Sequence, residues 1–381
     1  MIRQKLGGLL ALGIMAALPA GAGAATGQES WASGSFSGQA GLHWQREKAR
    51  EAEPGEAATA GFAAAHAGFS YETPPWDGFS LGLGAWGTTR LDERHSGDYR
   101  EEIAKDLVIN NAFARYHDAY WGDLTLGRQA VELEWLIDYM EGAMARLTPR
   151  EELAISLGWA RRRAITDPDE VVDFTRLNGN RGVYVLDVKY QPLAWLELNP
   201  YYYHAPREFR APGLRAVTSY EPAPELAAAT MVQWVRSTAH RDSVLADGLE
   251  NGGLVWLEQS LDYRGLELAG GYLKTDRRGA GGIDSFGDQQ PFEEGNRLFS
   301  ANARTFYLGA AYEVGPVTLA ALYGTTRYDE DGERLREKEL NLTAASEIMP
   351  NLEIELLYAK VSNDIRADSY QLLKTGLVYR F

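Results

Sequence analysis

The sequence predicts an all-β fold: a transmembrane antiparallel β-barrel of 18 strands behind an N-terminal export signal. Three observations predict it. Apolar residues recur with period two from Gly34 to the end of the chain, aromatic residues gather where these runs turn, and short turns alternate with longer polar segments. Composition narrows the class further. The 381 residues include 40 Gly, 20 Tyr and 10 Trp but no Cys, which excludes a disulfide framework, a thiolate nucleophile, a Cys-based zinc site and a lipidated N-terminal Cys. No apolar run beyond the N-terminus approaches the ~20 residues of a membrane helix. A net charge of −15 argues against a nucleic-acid partner, which would need a basic surface.

Residues 1–24 read as a signal peptide. Arg3 and Lys5 form a positive start, residues 6–18 an apolar stretch, and Ala22-Gly23-Ala24 a small-residue cleavage site. Export places the rest, 25–381, beyond the inner membrane as a single barrel domain.

The strands follow in order. Phe36, Ala40, Leu42 and Trp44 alternate with Ser35, Ser37, Gln39, His43 and Gln45. Phe79, Leu81, Leu83 and Ala85 do the same, as do Tyr184, Leu186, Val188 and Tyr190 against Asp187 and Lys189, and Leu352, Ile354, Leu356 and Tyr358 against Glu353 and Glu355. Successive side chains leave a strand on opposite faces, so each run has one apolar and one polar side. The apolar sides carry Leu, Ala and Gly, with Tyr, Trp and Phe toward the ends, which is a lipid-facing distribution rather than a sandwich core.

Eight short turns are predicted, at 73–78, 121–123, 149–151, 191–194, 222–225, around Gly265, at 315–316 and at 350–351. Nine longer polar segments lie between them, at 48–58, 93–106, 131–138, 164–180, 205–213, 243–250, 277–301, 330–337 and 365–368. Seventeen connections join eighteen strands, with the short turns facing the periplasm. The stretch 214–240 leaves an alternative, because Leu226, Thr230, Met231 and Trp234 recur at helical spacing. Sixteen strands with a loop helix would then replace two strands. The chain ends in Phe381, with Tyr379, Leu377 and Thr375 on the same face, an aromatic-terminated strand like the assembly signal read by the barrel-assembly machinery of a Gram-negative outer membrane.

Gly127-Arg128-Gln129, followed by Trp135, Asp138, Met140, Glu141 and Gly142, resembles the stretch spanning the third loop of OprD-like porins. Phe286-Gly287-Asp288 with Pro291 and Gly295-Asn296 resembles the same broad group. The resemblance implies an eighteen-stranded passive channel for small hydrophilic solutes, acting as a monomer or a homotrimer. It does not settle the solute.

Parity assigns the lumen. His43, His66, Arg115, His117 and Arg146 face inward, as do Asp187, Lys189, Glu197, Glu258, Asp262, Arg264, Glu353, Glu355 and Lys374. Acids outnumber bases in this set, which predicts a weak cation preference. The segment 131–138 interleaves Glu132, Glu134 and Asp138 with Leu133, Trp135, Leu136 and Ile137; folded inward, it would hide the apolar side and narrow the pore. Arg115, Arg128 and Arg146 would stand opposite, Arg128 only if a bulge near Gly127 reverses its direction, and their dominance would make the pore anion-preferring instead. Arg161-Arg162-Arg163, at a strand's outer end, is expected to meet lipopolysaccharide phosphates or the exposed rim. No motif calls for a cofactor or a metal. Two other classes stay open: a barrel lipase or protease, for which His95-Ser96 is the sole adjacent pair, and a structural barrel or adhesin with a filled lumen.

Overall fold

In a computed structural model, residues 34–51, 58–241, 251–287 and 289–381 are described; the predicted signal peptide lies outside them, as do segment 243–250 and most of 48–58. The strands are β1 Ser35–Ala49, β2 Thr59–Glu72, β3 Phe79–Glu93, β4 Leu107–Asp118, β5 Gly122–Glu132, β6 Ile137–Arg150 and β7 Leu153–Thr166. There follow β8 Val171–Arg176, β9 Val183–Leu193, β10 Leu196–Ala205, β11 Phe209–Ala223, β12 Leu226–Ala239 and β13 Gly252–Tyr263. The last are β14 Leu266–Thr275, β15 Arg304–Val314, β16 Val317–Glu330, β17 Glu333–Met349, β18 Leu352–Asn363 and β19 Tyr370–Arg380; one short helix, α1, spans Asp98–Glu102. β8 pairs only with β7, β7 continues to β9, and β19 returns to β1, so eighteen antiparallel strands close the wall. Closure leaves no strand edge in hydrocarbon, where an unpaired backbone group costs several kcal/mol.

Period two becomes two environments. On β1 and β3, Leu42, Leu81 and Leu83 are 49%, 61% and 54% exposed on the outside, while Gln39, His43 and Gln45 are buried within the barrel. In water such an exterior would aggregate; in lipid it is the solvated face. The stretch 214–240 forms β11 and β12, joined by a tight turn in which Glu225 takes a positive φ of 62°. Its helical spacing loses to cross-strand pairing, which runs from Arg215↔Gln233 to Tyr220↔Ala228 on one side and along β13 on the other.

The alternation of short turns with long loops is less strict than the sequence suggests. At the outer end, residues 133–136, 206–208 and 331–332 are connections as tight as those of the periplasmic end, because the strands extend into the polar segments. Arg264 is not a lumen residue. β13 stops at Tyr263, Arg264 takes φ 53° in the turn with Gly265, and its exposed guanidinium lies 2.6 Å from Glu225 of the neighbouring turn.

Candidate functional site: the narrowed lumen

The β5–β6 hairpin leaves the wall. β4 and β5 pair only up to Ala112↔Arg128, whereas β5 and β6 stay paired to Glu132↔Ile137. Beyond that point the tip, residues 133–136, crosses toward the opposite wall. The Glu134 N–H donates to Asp187 Oδ2 (3.1 Å) on β9, and the Trp135 N–H donates to the Tyr203 hydroxyl (2.8 Å) on β10. The Glu134 side chain accepts from Gln233 Nε2 (2.8 Å) on β12 and lies 3.9 Å from Arg215 Nε on β11. Trp135 and Leu136 are fully buried.

The tip meets a second inward segment. The loop 276–303 places Ile283, Phe286, Phe292 and Leu298 in the same apolar cluster as Trp135, with the Trp135 and Phe299 rings 5.8 Å apart and edge-on. Acids of the wall and of the β18–β19 connection hold this loop: Glu339 accepts the N–H groups of Glu294 and Gly295 at 3.0 Å each, and Arg297 pairs with Glu330 (2.9 Å) and Asp368 (2.5 Å). A third piece comes from the β7–β8 turn, where Asp169 meets Lys374 of β19.

The predicted residues therefore separate by depth. Glu132 lies on a cavity of about 500 Å³ beneath the tip, together with Arg115, Arg146 and Lys189. Glu134 and Asp138 are withdrawn from it. Asp138 is buried 2.6 Å from Arg163 of β7, and Glu134 is enclosed by its wall partners. Burial raises the Glu134 carboxyl to about 7, despite the opposing pull of Arg215. Arg115 is tied to Glu72 at 2.7 Å, whereas among the described residues Arg146, Lys189 and Glu132 form no ion pair.

No bulge turns Arg128: the pairing of β5 with β6 runs through it without a shift, and that with β4 is regular up to it and ends there. Its guanidinium sits where β5 parts from β4, 3.1 Å from Glu141 and over the Phe174 ring. Arg162 shares Glu141 at 3.6 Å, so Arg162 and Arg163 are committed to the hairpin rather than to the rim.

On the remaining lumen wall, Asp187 accepts from Asn199 (3.0 Å), Glu197 lies 3.5 Å from Arg215, and Glu258 accepts from the Tyr307 hydroxyl. Asp262 keeps the parity of Glu258, Glu353 pairs with Arg380 (2.5 Å) near the periplasmic end, and Glu355 stands opposite Gly376. His95 faces Asp98 at 3.5 Å. Sequence reasoning placed a loop at 277–301 but missed that it folds inward, although the signal that marked 131–138, bulky apolar residues inside a polar loop, is present there as well.

Residues 56–228 match the family model described as "Putative outer membrane protein". No curated protein matches the chain. Among solved structures, OccAB4 of Acinetobacter baumannii aligns with a TM-score of 0.75 at 11% identity, covering 93% of this chain and 100% of that one. OccK9 (OpdG) of Pseudomonas aeruginosa gives 0.75 at 15% identity, with 93% and 100% covered. OpdK of Pseudomonas aeruginosa, crystallised with vanillate, gives 0.72 at 11% identity, with 91% and 98% covered. The fold is that of these barrels, and the matched family model describes an outer-membrane protein.

Proposed function

We propose that this outer-membrane barrel, which shares the fold of the Occ proteins, is a passive pore for small hydrophilic solutes whose route passes beneath the β5–β6 tip. The observation that carries this reading is the cavity under the tip, polar on most sides and lined by Arg146, Lys189 and Glu132, none of which is committed to an ion pair among the described residues. Charges free of partners act on a passing solute, whereas paired ones are largely neutralised. Because Glu134 and Asp138 are withdrawn, the acid excess counted along the strands is not the charge that a solute meets. Asp123, on the same cavity and opposite Arg146, is held by His117 (2.7 Å), which leaves Arg146 and Lys189 facing Glu132 and favours small anions. OpdK, which shares the fold, was crystallised with a carboxylate of this kind.

Planar-bilayer recording in a KCl gradient tests the reading. The unmodified protein is expected to form open pores with a weak anion preference. Arg146→Gln with Lys189→Gln should move the reversal potential toward cations, and Glu132→Gln should move it further toward anions. Both shifts should shrink at 1 M salt, where the screening length falls to about 3 Å. Absence of conductance, or no shift in either variant, would overturn it. Liposome swelling across sugars, amino acids and carboxylates then ranks the solutes.

A further inference from the structure

The outer face of the barrel carries a ridge of cations that the pore does not use. Register sets Lys274, Arg304, Arg327 and Arg336 side by side on four adjacent strands, β14 to β17, at their outer ends: Lys274↔Arg304, Arg304↔Arg327 and Arg327↔Arg336. All four are exposed, and they share the lipid-facing parity of Phe306, Leu308 and Tyr323, which are 60%, 67% and 49% exposed. The next row toward the membrane reads Tyr272, Phe306, Thr325 and Lys338.

Like charges directly opposite each other destabilise a sheet. Here three such pairs stand in line, and among the described residues none of the four cations, nor Lys338, forms an ion pair. The nearby acids offset them little: Asp329 is held by Asn302 (2.7 Å) and Arg334 (2.6 Å) and only weakly attracted by Arg304, and Asp364 joins the edge of the patch. Arg304, Arg327 and Arg336 line a groove of about 500 Å³ whose floor includes Tyr272 and Phe306.

We propose that this groove binds the phosphorylated headgroup of an outer-leaflet glycolipid, the phosphate-bearing lipid A portion of lipopolysaccharide. The position selects the ligand. The cations stand at the outer end of the lipid-facing surface, at headgroup depth, while the aromatic floor below them lies at acyl-chain depth. Guanidinium forks match phosphate oxygens bidentately, and surface cations are drawn to an anionic leaflet. Two phosphates on one lipid would neutralise the whole row.

The test uses the full-length barrel in detergent, with bound lipid counted by native mass spectrometry. Diphosphoryl lipid A is expected to bind the unmodified protein and to bind the Arg304→Gln, Arg327→Gln, Arg336→Gln variant at least about tenfold more weakly. Pore conductance should be the same in both, since none of the three faces the lumen. Heat-modifiable migration on gels reports whether the variant is folded. Dephosphorylated lipid A, tested on the unmodified protein, keeps the question answerable without any variant and should also bind at least tenfold more weakly. Equal binding by the variant, by the dephosphorylated lipid or by phosphatidylglycerol would overturn the proposal. Competition by millimolar inorganic phosphate alone would assign the site to free phosphate instead and would equally overturn it.

Discussion

The Lys374 ammonium of β19 lies 2.8 Å from Asp169 of the β7–β8 turn and 2.7 Å from Glu293 of the loop 276–303, so one wall cation ties down two segments that enter the lumen from different sides. Burial disfavours the Asp169 carboxylate, but Lys374 outweighs it and holds the group at about 2. A depressed carboxyl contributes stability above its unfolded value near 3.8 that is lost as pH falls toward 2, so this tie is intact throughout the neutral range.

Lys374→Met should leave two buried carboxylates unpaired, at a cost of about 3 kcal/mol to the seating of the two loops. The wall itself should persist, because its closure rests on backbone pairing. Proteolysis in detergent is expected to cut within 167–182 and 276–303 in the variant, while heat-modifiable migration is unchanged. Adding Asp169→Asn and Glu293→Gln should restore protection. Equal resistance of Lys374→Met and the unmodified protein would refute the tie.

Glu134 has the opposite sign. Its carboxyl is raised to about 7 by burial, with Asp187 and Glu197 adding to the rise and Arg215 and Lys189 opposing it. The native tip therefore binds more protons than the unfolded chain between pH 4.5 and 7, and its seating weakens as pH rises through that window, by up to about 3 kcal/mol. Current noise from the unmodified pore is expected to increase between pH 5 and 8. Glu134→Gln should keep the bond from Gln233 and lose the pH dependence; noise that is flat with pH in the unmodified protein would contradict this.

The wall was legible because a half-buried strand needs no distant information: Leu42 and His43 declare opposite faces from their neighbours alone. The lumen was legible only in part. That 131–138 turns inward follows from its own apolar residues, but how deep Glu134 sinks depends on Gln233, 99 residues away, and on Asp187 and Tyr203. Arg264 keeps the lumen parity of Glu258 and Asp262, and only the end of β13 at Tyr263 removes it from the wall. The outer cation ridge was hidden for a related reason. Lys274 and Arg336 are distant in sequence, and only the register of four strands lines them up.

Trp135 is the apolar anchor of the tip, fully buried against Phe299 and the cluster of Phe286 and Phe292. Trp135→Ala should cost about 3 to 5 kcal/mol of local packing, since it removes a large ring from a close-packed site. The backbone N–H bond to Tyr203 does not require the indole, so the tip should loosen rather than unfold. Higher single-channel conductance with weaker solute discrimination is expected; unchanged conductance in a folded variant would place the narrowest point elsewhere.

Phe381 closes the seam between the first and last strands. Its N–H donates to the Gly38 carbonyl (2.9 Å) and its carbonyl accepts from the Gly38 N–H (2.8 Å), while its ring stacks on Phe36 at 5.8 Å and Tyr379 at 6.1 Å. Phe381 is 51% exposed and Tyr379 45% exposed on the lipid side, so neither side chain reaches the lumen. Deleting Phe381 removes the last pair of bonds and the aromatic contact at the periplasmic end of β19, where the barrel must close, without touching the solute route. The expected outcome is a lower yield of heat-modifiable barrel in the outer membrane, with normal conductance from each barrel that does insert. Tyr379→Ala should act in the same direction but more weakly, since it spares the backbone bonds. Normal yield with altered conductance would show instead that the terminal strand shapes the pore.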